Sequence, residues 1–311
     1  FAPPNEPLAS GEMRICFTGS TPWPPTLLQS GTSIVLELGN GTAFPRRLFF
    51  DFGNGCVKNI LQRGILPPMV RDIFISHLHV YHYADLPYFM PFRAWSGGWQ
   101  NGLRIFGPSG DRPETGTHYM VDTMHEMMTW HLENFDHCPI GEGYNTEVVE
   151  FDYTEDGGIC LQEDGLTVRH WGRSHVKNGA SAFRVDWEEA DLSFVWTGDG
   201  RPDESTIEFA RGVDVFVTEG QADLPRYRAL VPAEDDEPDR RDDHRGEERD
   251  QRLPEPASRP VLFIGGAVIM ATGLTTLWSL RHLLRRPKIG KETQDVLDAA
   301  SKAIWPSRRE K

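Results

Sequence analysis

The sequence predicts an α/β fold of layered sheets and helices, and three observations carry that expectation. From Glu12 to about Gly220, short apolar runs alternate with Gly/Pro turns and with stretches of helical spacing. The chain of 311 residues is long enough to bury one large core or two smaller ones. One of the apolar runs, Asp72–Ile75, leads into a loop reading Ser76-His-Leu-His-Val-Tyr-His82, whose side chains suit metal binding better than packing.

Taken in order, Met13–Phe17 and Ser33–Leu38 read as strands, the first ending in a Thr-Gly-Ser turn. Leu48–Asp51 is a third and delivers Asp51 into the turn Asp51-Phe-Gly-Asn-Gly55. Val57–Arg63 has the spacing of a short helix closed by Gly64. After the histidine loop, Leu103–Phe106 runs into Gly107-Pro-Ser-Gly110, which lacks the lysine and spacing of a phosphate loop. Thr117–Phe135 has helical spacing, and the histidines of Thr117–His137, namely His118, His125, His131 and His137, do not share one helix face. Glu147–Tyr153, Leu166–His170, Ala182–Val185 and Leu192–Trp196 each suggest a strand. The run Tyr88–Trp99 is too aromatic, and too broken by Pro91, Gly97 and Gly98, for a simple helix.

The C-terminal quarter differs in kind. Ala233–Arg259 is almost wholly Asp, Glu, Arg and Pro, and buries too little to offset its ordering entropy, so it reads as a disordered linker. Val261–Leu280 then has no formal charge and is long enough for a single transmembrane helix, with Trp278 near one end. Basic residues crowd the tail that follows, 281–311, which predicts a cytoplasmic tail and an extracytoplasmic metal-binding domain. The chain begins at Phe1 without a recognisable signal segment, so either one has been removed or the sequence is a fragment.

A net charge of −14 with no basic stripe disfavours general nucleic-acid binding. Four scattered cysteines without C-x-x-C spacing predict thiols rather than a disulfide framework or a cysteine metal site. The histidine loop is more specific. Alternation along an extended chain sends His77 and His79 to one side, and the following turn brings His82 behind them, a set suited to zinc or iron.

With these residues the chain resembles the metallo-β-lactamase superfamily, whose signature is His-x-His-x-Asp-His, except that Tyr81 stands where the family has aspartate. Phe106-Gly-Pro-Ser-Gly110 and Tyr83-Ala-Asp-Leu-Pro87 look like the branch that holds the ribonuclease Z and arylsulfatase groups. The resemblance covers about residues 13–222 and implies an αββα sandwich spanning about 11–225. It further implies His175 as the third histidine of the first metal, in preference to His170, and Asp199 as the ligand that bridges both metals. Val213–Glu219 matches a later strand, and Asp51 and Glu219 sit where supporting hydrogen bonds are made. Tyr88, Phe92, Trp95 and Trp99 fall in or near loops that border such sites, as candidate walls of an apolar substrate pocket.

Two departures qualify what the resemblance implies. Neutral phenol is a poor zinc ligand, so Tyr81 weakens the second metal position, although a ferric ion could ionise it. The closing strand and histidine that the resemblance implies some tens of residues after Glu219 are absent, since the later histidines are His244 in the charged linker and His282 beyond the apolar run. The first site keeps His77, His79, His175 and Asp199, and the second only His82 and Asp199. The expectation is a one-metal hydrolase of a small aryl ester, sulfate ester, phosphodiester or lactone, weakened by Tyr81 at the catalytic position beside Asp199. A membrane-anchored binding protein that keeps the fold without turnover is the alternative.

Overall fold

A computed structural model describes residues 7–20, 29–96, 102–135, 137–138, 141–201, 203–220 and 262–267. The first sheet runs in the order β1 (Met13–Gly19), β2 (Ser33–Leu38), β3 (Arg46–Phe50), β4 (Asp72–Phe74), β5 (Leu103–Pro108) and β6 (Thr146–Phe151). It is antiparallel from β1 to β3 and parallel from β3 to β6. A second sheet holds β7 (Gly158–Glu163), β8 (Leu166–Gly172), β9 (Ser181–Trp187), β10 (Leu192–Trp196), β11 (Val215–Gly220) and β12 (Leu262–Ala267). Its strands are antiparallel up to β10, and β11 and β12 join in parallel.

Alternation along the strands builds the layers. Phe50, Phe74 and Phe106 point inward, with Phe74 stacked on Phe106 at 4.5 Å and Phe50 lying 5.4 Å from Phe194 of the facing sheet. Their neighbours Phe49, Ile73 and Ile105 point outward. These pack against α1 (Cys56–Gln62), α2 (Leu86–Trp95) and α3 (Thr117–Met127) through Val57, Ile60, Phe89, Met120 and Val121. Beyond the second sheet, Trp171, Ala182 and Val195 pack with Phe209 of α5 (Glu204–Phe209). Helix, sheet, sheet and helix therefore succeed one another, and strands covered on both faces read as near-continuous apolar runs. All four cysteines are free thiols.

Several expectations change. The helical stretch from Thr117 breaks at Met128 into α3 and α4 (Thr129–Asn134). The described part of the aromatic run, up to Trp95, is a helix. In α2, Leu86, Phe89, Met90, Arg93 and Ala94 are buried at helical spacing, and Pro87 sits in the first turn, where its missing N–H does no harm. Burial of that face outweighs the interior Pro91.

The closing strand is present, at the far end of the charged linker. Leu262–Ala267, inside the run expected to cross a membrane, is β12 and pairs with β11 from Val215↔Leu262 to Gly220↔Ala267. An apolar run with β-branched residues and two glycines satisfies a strand as well as a helix, and periodicity alone does not separate them. The rest of the uncharged run, 268–280, lies outside the described residues. Among the described residues no helix is long and apolar enough to cross a membrane. A strand beyond position 225, β12, thus belongs to the second sheet. The linker 233–259, the tail 281–311, His244 and His282 lie outside the described residues.

Candidate metal centre

The site gathers at the ends of strands from both sheets. β3 delivers Asp51, β4 leads into Ser76, His77 and His79, the loop after β8 carries His175, and the turn after β10 carries Asp199. Backbone hydrogen bonds from Asp51 N–H to Phe74 O, Ile75 N–H to Phe106 O and Ser181 N–H to Ser76 O fix these exits, each at 2.8–2.9 Å. Two glycines allow the close approach. A Cβ on Gly53 would lie 2.0 Å from the Tyr81 carbonyl oxygen, and one on Gly198, whose φ is +58°, would lie 2.7 Å from Ser76 Cβ.

One ligand-type atom from each of His77, His79, His175 and Asp199 lies within 4.8 Å of all the others. His77 Nε2 is 2.9 Å from His79 Nδ1, His175 Nε2 is 3.2 Å from the same nitrogen, and His77 Nε2 is 3.8 Å from Asp199 Oδ2. A tetrahedral ion with arms near 2.0–2.1 Å needs ligand separations of roughly 3.3 Å, which this set brackets. The ring nitrogens also lack any other good arrangement. His79 Nδ1 faces two imidazole nitrogens and, at 3.4 Å, the Tyr81 hydroxyl, more than one lone pair or one hydrogen can satisfy. These residues fit a metal ion.

Their protonation fits as well. Burial holds His77, His79 and His175 below the ordinary imidazole value, most strongly at His77, against the opposing pull of Asp199. Neutral rings with free lone pairs are what a metal requires. The His77 tautomer is also set, because its Nδ1 lies 3.0 Å from Ser76 Oγ, which in turn donates to Asp51 Oδ2 at 2.9 Å. With Nδ1–H committed to Ser76, the Nε2 lone pair faces the cluster.

Asp51 is the hub beneath the site. It is fully buried, in a left-handed conformation at φ 59°, and accepts Ser76 N–H (2.8 Å), Ser76 Oγ, His82 Nδ1 (2.8 Å) and Trp196 Nε1 (2.9 Å). The sequence pattern does not single out Ser76 or Trp196. A serine directly before His-x-His and a buried indole three residues before Asp199 are the available signals, since each must find a polar partner.

The second position is built differently. Tyr81 Oη donates to Asp199 Oδ2 at 2.7 Å. Burial and the adjacent Asp199 carboxylate push the phenol well above its ordinary value, so it stays a neutral donor. His82 is held by Asp51, while its Nε2 lies 3.3 Å from Asp199 Oδ1 and meets no hydrogen-bond geometry among the described residues. Burial would lower the His82 pKa, but the charge of Asp51 and the contact with Asp199 outweigh it and push the value up to about 10. Asp199 is held well below the usual carboxylate range, since His82, His77 and the Tyr81 hydroxyl together outweigh its burial.

The other sequence-derived candidates are placed as follows. Glu219 ends β11, half-buried, near enough for its charge to act on Tyr81 and Arg173. His170 is not in the cluster and stacks on Phe151 at 3.9 Å. Asp85 accepts the Val57 N–H at 2.9 Å at the start of α1. Tyr88, Phe92 and Trp95 share one stripe of α2. Tyr88 is exposed and stacks on Phe92, and Trp95 donates to Tyr144 Oη at 2.8 Å and packs on Phe135. Trp99 lies outside the described residues.

No family model matches the chain. The sequence is similar to Ribonuclease BN of Salmonella typhimurium and of Salmonella typhi, 26% identical over 246 residues, covering 68% of this chain and 77% of each relative. Among solved structures it is similar to the short form of human tRNase Z (TM-score 0.51, 18% identity), covering 67% of this chain and 78% of that one. A long-form RNase Z from yeast (TM-score 0.53, 12% identity) is matched over 71% of this chain and 34% of its own length. With two facing sheets and the histidine and aspartate cluster at their strand ends, these likenesses show that the chain has the metallo-β-lactamase fold.

Proposed function

We propose that the protein is a one-metal hydrolase of small ester-type substrates, with His77, His79, His175 and Asp199 as the ligands. The observation that carries this is the convergence of three imidazoles and a carboxylate within 4.8 Å of one another, with more partners facing His79 Nδ1 than one ring nitrogen can satisfy. When bound, a zinc or iron ion would polarise an ester-type oxygen and lower the pKa of a water to near 7. Ser76 and Asp51 orient His77, and Asp199 supplies the negative charge of the set. Tyr81 gives its one hydrogen to Asp199, so it offers no base at the position where a carboxylate would serve. The expected consequence is modest turnover.

The charge of −14 and the exposed apolar residues Val80 and Val176, next to ligand histidines, favour a small, partly apolar substrate over a polyanion. The relatives named for ribonuclease activity make an RNA phosphodiester the rival. The test is zinc-loaded protein assayed on an aryl ester, a sulfate ester, bis(p-nitrophenyl) phosphate, a lactone and a structured RNA. Faster turnover of a small ester than of RNA, lost in His77→Ala, is expected. Preferential cleavage of RNA would overturn the substrate class. Metal binding with no hydrolysis of any member would support the binding-protein alternative instead.

A further inference from the structure

We propose that Arg173 is a positioning residue that holds His175 and Asp199, carried by separate strands, at ligand distance from each other. It deepens the proposed function, because the two residues it positions are two of the proposed ligands.

Arg173 opens the loop between β8 and β9, and its backbone N–H donates to Ala180 O at 2.8 Å across the base of that loop. The side chain turns inward and is 2% exposed. Nη1 donates to the Asp203 carboxylate and to the Thr206 hydroxyl. Asp203 is itself fixed, since its Oδ1 caps α5 by accepting the Thr206 N–H at 2.7 Å, and Thr206 Oγ1 also accepts Trp171 Nε1 at 3.0 Å.

The chain from Asp199 to Asp203 therefore leaves the β10 turn and ends on the guanidinium's partner. Midway, Arg201 N–H donates to Ser174 O at 2.9 Å. Gly200 lies so close that a Cβ there would come within 3.2 Å of Arg173 Nε. That Nε has no hydrogen-bond partner among the described residues, while Nη1 carries the bonds to Asp203 and Thr206. The loop bearing His175 and the turn bearing Asp199 thus form two sides of one strapped unit with Arg173 between them. A buried ion pair adds little net stability over a well-packed apolar pair. Its effect here is to fix one loop against the other.

The experiment uses the full chain with Arg173→Met, Arg173→Lys and Asp203→Asn. In the metal-free protein, the ring nitrogen NMR signals of His175 and of His79, 3.2 Å from it, report whether His175 keeps its place in the cluster. Zinc affinity by chelator competition and the visible spectrum of the cobalt form report the metal set. Arg173→Met is expected to shift both ring signals, to weaken zinc at least about tenfold and to alter the cobalt spectrum. Arg173→Lys should recover part of each. Asp203→Asn, which keeps an N-capping side chain, should fall between, and it decides the matter alone if Arg173→Met fails to fold. Lower thermal stability with unchanged ring signals, zinc affinity and spectrum would show a merely structural ion pair and overturn the proposal. If the unaltered protein takes no zinc, the proposed function fails, while the ring signals still decide whether Arg173 straps the two loops.

Discussion

Asp51→Asn isolates the support beneath the site. Asparagine matches aspartate in shape and adopts the left-handed conformation at φ 59° at least as readily, so backbone strain does not change. What changes is Oδ2, which faces Ser76 Oγ, His82 Nδ1 and Trp196 Nε1. The serine hydroxyl can rotate away, but the imidazole and indole N–H groups cannot. Whichever way the amide is turned, at least two buried donors lose a charged acceptor, at about 1–3 kcal/mol each. Together with the loss of charge opposite His82, the expected destabilisation is about 3–5 kcal/mol. For a domain of this size that lowers the melting temperature by roughly 10 °C. Zinc affinity should fall about 10- to 100-fold, because His77 loses the chain that fixes its tautomer. Thermal denaturation of the metal-free protein and chelator competition on the loaded one read the two effects separately. A melting temperature and a zinc affinity both within error of the unaltered protein would refute the assignment of Asp51 as the hub.

Two further outcomes follow from the same geometry. Tyr81→Asp should raise occupancy of a second metal at His82 and Asp199 and speed aryl ester hydrolysis by about tenfold or more, whereas Tyr81→Phe, which removes only the hydroxyl, should do neither; paired metal content and turnover check both. His170 is buried and its pKa is lowered from 6.5 to about 4 by desolvation, so the unfolded chain takes up the proton first as pH falls. Stability should therefore be full above pH 6.5 and fall by on the order of 3 kcal/mol on going down to about pH 4. In His170→Phe, which keeps a ring against Phe151, denaturant titrations at pH 7 and pH 4.5 should lose that part of the difference.

The parts of the site legible in the sequence are those set by local chain geometry. His77, His79 and His82 lie within one exit from β4, and their convergence follows from strand alternation and a tight turn. His175 and Asp199 were placed by the order of landmarks, and the structure brings both to the same point. Partners far apart in the chain were not legible. The Tyr81–Asp199 hydrogen bond, the Trp196–Asp51 bond and the Arg173 strap exist only once two sheets face each other. In the fold, α2 was hidden because tertiary burial overrode Pro91, and β12 because an apolar run carries no sign of whether it will meet a sheet edge. The open edge of β11, more than forty residues upstream, decides that.

The most direct test of the metal centre is the metal content of the purified, zinc-loaded full chain beside His77→Ala and His82→Ala. About one tightly held zinc per chain is expected, abolished by His77→Ala and kept by His82→Ala, because His82 is committed to Asp51 while His77 points its free nitrogen at the cluster. Two zinc ions of equal tightness, or one that survives His77→Ala but not His82→Ala, would contradict it.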